Sequence, residues 1–246
     1  MRSPARDKTP KSNVEFSRAM PFPAPDPNTV LARLEAVYGV TEWSPRFGAM
    51  DELIACILSQ HTSDVNSLRA FDNLKRQYPE WEAVIAASVQ EIADTIRSGG
   101  LANSKAARIQ EVLQRILSLE GIISLDCLDA MPDAEARAYL MALPGVGPKT
   151  AAIVLSFALG RPVIPVDTHI FRVAWRLGLI EKKLGEARAH DSLQAQIAPE
   201  IVYRFHVALI NHGRAVCKAP RPRCGQCVLT DLCRYFHEQS IQNPTE

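Results

Sequence analysis

The sequence predicts an all-α fold, and three observations support this prediction. Apolar residues recur three or four positions apart along most of the chain after residue 29, which is the spacing of one helical face. Alternating β-branched runs are few, and no Asn-Gly or Asp-Gly pair marks a hairpin turn. With 246 residues, of which 47% are hydrophobic, the chain can bury a core formed by about ten short helices.

The predicted helices follow one another closely, with polar, Gly or Pro breaks between them. The first is marked by Val30, Leu31 and Leu34, which share one face of a helix. Segments with this pattern are 29–38, 51–58, 68–74, 81–96, 109–116, 133–142, 148–159, 167–178 and 199–212.

The N-terminal segment differs from the rest in composition. Residues 1–28 hold 6 of the 17 prolines, five basic residues and few apolar ones. We expect a disordered, Pro-rich tail, and a flexible terminus is favoured over a functional arm. The segment has no apolar stretch long enough for a secretory leader.

Charge and cysteine usage narrow the class of protein. Lys plus Arg total 28 and Asp plus Glu 27, a net charge of +1, which does not by itself indicate a strongly basic nucleic-acid binder. The charge is segregated, however: residues 204–223 hold five basic and no acidic residues, whereas 120–135 hold five acidic and no basic ones. No apolar run approaches the roughly 20 residues of a membrane span. We therefore expect a cytoplasmic protein without membrane partners, whose six cysteines do not form disulfides.

A glycine turn between two helices is the most informative central motif. Residues 143–151 are Leu-Pro-Gly-Val-Gly-Pro-Lys-Thr-Ala. Gly145 and Gly147 permit conformations and close approaches that a Cβ would block, and Pro148 suits a first helical turn. An ordinary corner between helices would also use glycine. The flanking apolar residues and Lys149 favour a helix-hairpin-helix, whose N–H groups and positive helix terminus bind a DNA phosphate.

Lys149 and Asp167 are the candidate catalytic residues. Lys149 lies in the first turn of the second helix, where the positive helix terminus disfavours an ammonium and favours a nucleophilic amine. A second phosphate contact is the alternative. Asp167 opens segment 167–178, and helix capping alone would explain its presence there. A catalytic role requires that it face Lys149 across a cleft, where it could transfer protons. His169 has no visible partner, so a structural role is favoured.

Four of the cysteines form a compact set near the end of the chain. They follow the spacing C-x6-C-x2-C-x5-C and comprise Cys217, Cys224, Cys227 and Cys233. Four thiolates within 17 residues suit one metal centre, and the spacing alone leaves iron–sulfur and zinc open. Cys56 and Cys127 lie in apolar surroundings and are interpreted as buried apolar residues rather than ligands.

The chain is similar to a known family over about residues 30–235. The motifs LPGVGPKTA and VDTHIFRVAWRLGL, with the cysteine spacing, resemble the helix-hairpin-helix DNA glycosylases and, among them, endonuclease III. The resemblance implies that Lys149 attacks C1′ of a damaged nucleotide and that Asp167 assists base departure and later proton transfers. A Lys at this position implies a bifunctional enzyme, which excises oxidised pyrimidines from duplex DNA through a Schiff base and then cleaves 3′ to the lesion by β-elimination.

The resemblance also implies a cofactor and a set of DNA contacts. The four cysteines would hold a [4Fe-4S] cluster. The hairpin and the basic segment between the first two cysteines would contact the DNA backbone through Gly145, Val146, Gly147, Thr150, Lys218, Arg221 and Arg223.

Two turns are implied as the elements that enter the duplex. Leu101, in the turn Ser98–Ala106, takes the position of an apolar wedge, although a core Leu at a helix start is the structural alternative. The family's usual plugging Gln falls on His61, with a one-residue ambiguity that involves Gln60. Either side chain can hydrogen-bond an orphaned base.

We expect two helical domains with a DNA-binding cleft between them. A six-helix barrel with the hairpin would span residues 48–160, and residues 29–47 would join 161–246 in the domain that holds the cluster. A monomer suits chemistry on a single lesion. Three alternatives stay open: a mismatch-type uracil or thymine glycosylase, a non-catalytic DNA-binding module, and an enzyme with zinc in place of the cluster.

Overall fold

Helices account for the regular secondary structure of the computed structural model between residues 22 and 242, the part of the chain that the structure describes. No strand occurs in that range, so the predicted all-α class is confirmed. The longer helices are α1 Pro27–Tyr38, α2 Ala49–Ser59, α3 Asp64–Gln77, α4 Trp81–Ala86, α5 Val89–Thr95, α6 Ala102–Glu120, α7 Asp133–Met141, α8 Pro148–Ile153, α9 Thr168–Leu177, α10 Gly185–Gln194, α11 Val202–Ala215 and α12 Arg234–Gln242.

The N-terminus of α1 is set by a helix cap. The Asp26 carboxylate accepts a hydrogen bond from Thr29 N at 3.0 Å, and Pro27 occupies the first turn of α1, a favourable pairing of cap and proline. Helix α1 therefore includes the last two residues of the predicted tail. Residues 1–21 of that tail lie outside the described range.

Two helices, α10 and α12, were not predicted. Helix α10 buries only Ala189, His190 and Leu193, too few apolar residues for a clear stripe. The predicted segment 199–212 is also divided: a single 3₁₀ turn, Pro199–Ile201, precedes α11. The other predicted segments overlap helices, but 81–96 is divided into α4 and α5. Segment 148–159 continues from α8 into a π-helical turn at Val154–Ala158.

The buried apolar residues form two separate clusters. One lies within residues 53–155, and the other combines Val30, Leu31 and Leu34 of α1 with buried residues between Ile164 and Leu229. Each cluster lies inside one of the two predicted domains. We retain the division into 48–160 and 29–47 plus 161–246 as our domain proposal.

Polar contacts join the two clusters around the cleft described below. Arg214 of α11 forms an ion pair with Asp64 of α3 at 2.9 Å, and the Trp43 indole donates to the Phe157 carbonyl at 3.2 Å. Between residues 22 and 242, no helix has the length and apolar character needed to cross a membrane.

Candidate active site and DNA interface

Lys149 and Asp167 line the same cleft, which has a volume of about 340 Å³ and lies between the two clusters. One wall comes from α2 and α8, and the opposite wall comes from α11 and the segment before α9. The lining residues are Arg46, Glu52, Ala55, Cys56, Ser59, Asp64, Lys149, Ile153, Phe157, Pro165, Asp167, His206, Val207, Ile210 and Arg214.

Lys149 is held in the cleft by the turn that precedes it. The chain reverses between α7 and α8, where Gly145 adopts φ +72°, a region that favours glycine. Pro148 then starts α8, and Lys149 is its second residue. The Lys149 side chain is exposed and makes no hydrogen bond or ion pair with another residue of the described range. Its amine is therefore available to a ligand in the cleft.

The hairpin turn offers backbone donors, but not at every predicted position. The N–H groups of Gly147 and Thr150 have no acceptor within residues 22–242, whereas Val146 N donates to Leu143 O at 3.2 Å. The Val146 side chain is buried in the first cluster, so we assign it an anchoring role in the turn. Gly147 has an ordinary φ of −99°, and open space at its missing Cβ leaves room for a phosphate.

Asp167 combines capping with access to the cleft. Its Oδ1 accepts hydrogen bonds from His169 N at 2.9 Å and Ile170 N at 2.8 Å, which satisfies the N-terminus of α9. Its Oδ2 makes no hydrogen bond with a residue between 22 and 242. The two hypotheses for Asp167, a helix cap and a group that faces Lys149, are therefore compatible.

Buried histidines fix the backbone that leads to Asp167. His206 Nδ1 donates to Pro165 O at 3.0 Å, and His190 Nε2 accepts from Val166 N at 3.0 Å. Burial lowers the pKa of His206 to about 4, although the Asp167 charge opposes this shift. A neutral His206 therefore belongs to the folded cleft at neutral pH. No local motif indicated either histidine, because His206 lies 41 residues from Pro165 and His190 lies 24 residues from Val166.

His169 lies beside the cleft rather than in it. Arg172 Nη2 lies 3.0 Å from His169 Nδ1 and donates to Gly213 O at 2.8 Å. His169 is absent from the cleft lining, as its predicted structural role requires.

Strained backbone occurs at both turns predicted to enter the duplex. Leu101 and His61 have φ +49° and +55° and are the only residues other than glycine with positive φ between 22 and 242. Both side chains are exposed, Leu101 by 61%. Non-glycine residues rarely adopt this conformation, and strain of this kind often accompanies a functional role. Because the Leu101 side chain is exposed, the alternative that it is a core Leu is wrong.

One buried lysine ties these turns together. Lys105 of α6 is 4% exposed, and its Nζ donates to Leu58 O at 2.6 Å and Gly99 O at 2.8 Å. Leu58 precedes the His61 turn and Gly99 precedes Leu101, so a single ammonium links both. Sequence reasoning missed Lys105, although its helical register with Ile109 places a charge on an apolar stripe.

Gln60 connects the same surface to the hairpin. Its Nε2 donates to Gly145 O at 3.5 Å, and the residue is half-buried. His61 is exposed, so of the two candidates for the plugging position it is the side chain open to a ligand.

Only some of the five basic residues in 204–223 are available to contact a phosphate backbone. Arg204 binds both carboxylate oxygens of Glu35 at 2.7 and 2.6 Å, and Arg214 pairs with Asp64. Three side chains remain without an acidic partner among the described residues: Lys218, Arg221 and Arg223. These three are the residues predicted to contact DNA.

The four predicted cysteine ligands line one cavity, bounded by α9, α11 and the segment that precedes α12. Burial raises the pKa of Cys224, Cys227 and Cys233, the last to about 11, and charge on neighbouring thiols adds to each rise. Within residues 22–242, no group of three or more His, Cys, Asp or Glu side chains is close enough to hold a single metal ion.

Arginines of α9 hold the backbone around these thiols. Arg176 donates to Lys218 O at 2.9 Å, to Ala219 O at 3.0 Å and to Cys217 Sγ at 3.3 Å. Arg172 donates to Cys217 O at 2.8 Å. Two side chains from one helix thus position the first cysteine and the residues that follow it.

Of the two cysteines outside this set, one is buried as predicted and the other is only half-buried. Cys56 is buried on α2 and Cys127 is half-buried against the first cluster. Neither lines the cavity of the four thiols.

Comparisons with known proteins agree with this geometry. The family model of the HhH-GPD superfamily base excision DNA repair proteins matches residues 54–199. Endonuclease III of Escherichia coli strain K12 is 38% identical over 189 residues, which are 77% of this chain and 85% of that protein. An Arabidopsis thaliana protein, whose name assigns it provisionally to the DNA glycosylases, is 36% identical over 67% of this chain, but the match spans 56% of its length.

A solved structure extends the similarity to three dimensions. The structure of a trapped covalent intermediate between endonuclease III and DNA superposes with a TM-score of 0.73 at 31% identity, covering 86% of this chain and 96% of the other. The predicted resemblance is confirmed: the chain belongs to the HhH-GPD superfamily of base excision DNA repair proteins and, within it, to the endonuclease III family.

Proposed function

We propose that this protein is a bifunctional DNA glycosylase and abasic-site lyase that removes oxidised pyrimidines from duplex DNA. The observation that carries the proposal is the position of Lys149 and Asp167 in one cleft. A free amine and an accessible carboxylate are the groups needed for amine attack coupled to proton transfer. Membership of the endonuclease III family supports this assignment.

The chemistry assigns one role to each residue. The Lys149 amine bonds to C1′ of the extruded nucleotide as the glycosidic bond breaks, and the base leaves with the bonding electron pair. Opening of the sugar ring then gives a Schiff base. Loss of a C2′ proton expels the 3′ phosphate, and water finally releases Lys149. Asp167 stabilises the positive charge that develops on the sugar and transfers protons through Oδ2.

DNA engagement follows from the surfaces around the cleft. The hairpin N–H groups of Gly147 and Thr150 bind a backbone phosphate, and Lys218, Arg221 and Arg223 add a basic patch. Leu101 and His61 fill the space left by the extruded nucleotide, as the chemistry of base extrusion requires. We propose that the protein acts as a monomer on DNA in the cytoplasm.

The four cysteines are assigned to a [4Fe-4S] cluster rather than to a zinc ion. All four line one cavity, and membership of the endonuclease III family supports a cluster there. Burial raises the pKa of Cys224, Cys227 and Cys233, so their thiolate forms need a positive centre nearby. When bound, the cluster supplies iron–thiolate bonds that fix the loop of residues 217–233. Arg172 and Arg176 orient that loop, which carries the basic patch.

A panel of duplexes under single-turnover conditions tests the proposed function. The duplexes contain an oxidised pyrimidine, uracil opposite G, thymine opposite G, or an abasic site. We expect excision of the oxidised pyrimidine and cleavage at the abasic site. Preference for the G mismatches would instead indicate a mismatch-type glycosylase, and DNA binding without any cleavage would indicate a non-catalytic module.

A further inference from the structure

Glu52 is a buried carboxylate on the wall of the proposed active site, and the proposed chemistry does not use it. It lies on α2 in register with Ala55, Cys56 and Ser59, and all four line the cleft. Residues at this spacing share one helical face, so the cleft side of α2 includes Glu52. The residue directly precedes the apolar run Leu53–Leu58, and its helical register with Ala55 and Cys56 was the available sequence signal for a special position.

The two oxygens of Glu52 differ in their partners. Oε1 accepts from Arg46 Nη2 at 2.7 Å and lies 3.9 Å from the Cys56 thiol. Oε2 is buried and has no hydrogen-bond partner among the described residues, and the whole side chain has 0% exposure. A buried polar atom without a partner costs roughly 1 to 3 kcal/mol, so such atoms are uncommon in folded proteins.

A purely structural role does not account for this arrangement. Arg46 is 50% exposed and could be solvated without a buried partner. An apolar side chain of similar size at position 52 would stabilise the fold as well or better than a buried ion pair. Burial raises the pKa of Glu52, and the Arg46 charge opposes that rise. Arg46 pairs with Oε1, which leaves Oε2 as the oxygen that can accept a further hydrogen bond.

The surroundings of Glu52 suit a planar ring. Phe157, Ile153 and Ile210 supply apolar surface to the cleft, and Phe157 packs edge-on against Tyr203 and His206 with centroids 5.3 Å apart. Enzymes that extrude a base read it by combining apolar or aromatic walls with hydrogen bonds to its polar edge. Glu52 supplies the polar group that such a pocket requires.

We propose that Glu52 Oε2 accepts a hydrogen bond from a ring N–H on the polar edge of the extruded base, which makes Glu52 a specificity-determining residue. This inference rests on the proposed function. The bases selected are pyrimidines and their saturated derivatives that carry N3–H. A base with a methyl group at N3 offers no donor to Oε2 and places an apolar group against a carboxylate.

The test compares excision of 5,6-dihydrouracil and of its N3-methyl derivative from otherwise identical duplexes, with an abasic duplex as a third substrate. A site built to bind an N–H discriminates against the analogue that lacks it, so we expect the wild-type protein to prefer N3–H by about tenfold or more. Glu52→Leu should lose this preference. Glu52→Gln should keep part of it, because the amide oxygen still accepts.

A neighbouring carboxylate on the same helix provides the matched control. Asp51 contacts Lys75 at 3.7 Å and is absent from the cleft lining, so Asp51→Asn should leave the preference unchanged. The ratio of excision to abasic-site cleavage distinguishes a loss of base recognition from a general loss of enzyme activity. We expect that ratio to fall about tenfold in Glu52→Leu.

The outcomes are distinguishable. Wild-type protein that fails to cleave the abasic duplex contradicts the proposed function itself. If the wild type cleaves and both Glu52 variants keep the full preference for N3–H, or lose excision and abasic cleavage by the same factor, the role of Glu52 is refuted. Glu52→Gln preserves the size and shape of the side chain, so it supplies the answer even if Glu52→Leu does not fold.

Discussion

The active-site cleft and the cysteine cavity both take lining residues from α11, but they differ in how their polar groups are used. In the cleft, Lys149 has no partner within residues 22–242 and Glu52 keeps one buried oxygen without a hydrogen bond. Around the cysteines, Arg172 and Arg176 donate to four backbone carbonyls. The cleft thus leaves an amine and a carboxylate oxygen available where chemistry is proposed, whereas the arginines near the cysteines hold the backbone, although Arg176 Nε is itself buried without a partner among the described residues.

The largest effect on stability is expected from the cysteine side of this comparison. Arg176→Met leaves two carbonyls and a thiol without their donor, and each buried unpaired acceptor costs about 1 to 3 kcal/mol. We predict a loss of about 3 kcal/mol or more in the free energy of unfolding, with weaker retention of the cofactor. Chemical denaturation and the visible absorbance of the purified protein measure both. Arg188→Met, an exposed arginine of α10, is the control and should show neither change.

The next largest effect on stability is expected at Lys105, which links the two strained turns. Lys105→Met leaves Leu58 O and Gly99 O without a donor, so we predict a loss of about 2 to 3 kcal/mol, together with weaker binding to lesion-containing duplex. Arg115→Met on the exposed face of the same helix is the matched control. Equal stability of the two variants in urea would show that the ammonium does not hold the turns.

The pH dependence of stability tests the role of His206, which holds the backbone that leads to Asp167. Because the pKa of His206 is lowered to about 4 from an ordinary 6.5, the neutral form is favoured in the folded state. This contribution is complete above pH 6.5 and is lost as pH falls toward 4, by on the order of 3 kcal/mol. His206→Gln should flatten the stability profile between pH 7 and 4. A profile as steep as that of the wild type would assign the effect to other groups.

The smallest effect on stability is expected at Leu101. Leu101→Gly removes an exposed side chain and relieves a φ of +49°, so stability should stay constant or rise by up to about 1 kcal/mol. Excision from duplex DNA should nevertheless fall more than excision from single-stranded DNA, where no space needs filling. A destabilisation similar to that of a core Leu, about 2 kcal/mol or more, would contradict the wedge assignment.

Local signals predicted much of the fold and the central site. Helical periodicity identified most helices, and the glycine turn with its following Lys149 identified the hairpin. Helix α10 was not predicted because its few buried residues form no clear apolar stripe. The residues that support the site were not predicted for a different reason. Lys105 donates to the Leu58 carbonyl at a separation of 47 residues, and His206 donates to the Pro165 carbonyl at a separation of 41. Contacts of this kind depend on tertiary packing, which periodicity does not encode.

Glu52 and Lys105 also show which sequence signal was available. Each is a charged residue in helical register with apolar neighbours, and each is buried in the structure, at 0% and 4% exposure. A charge on an apolar stripe is costly unless it has partners or a function. A buried charge at such a position therefore indicates a structural or functional role.

Borohydride trapping on abasic duplex DNA tests the central claim most directly, because it captures the Schiff base itself. The wild-type protein should form a covalent complex with the DNA. Lys149→Ala should form none, whereas Lys183→Ala, which removes an exposed lysine outside the cleft, should trap as well as the wild type. Trapping that persists in Lys149→Ala would contradict the assignment of Lys149 as the nucleophile.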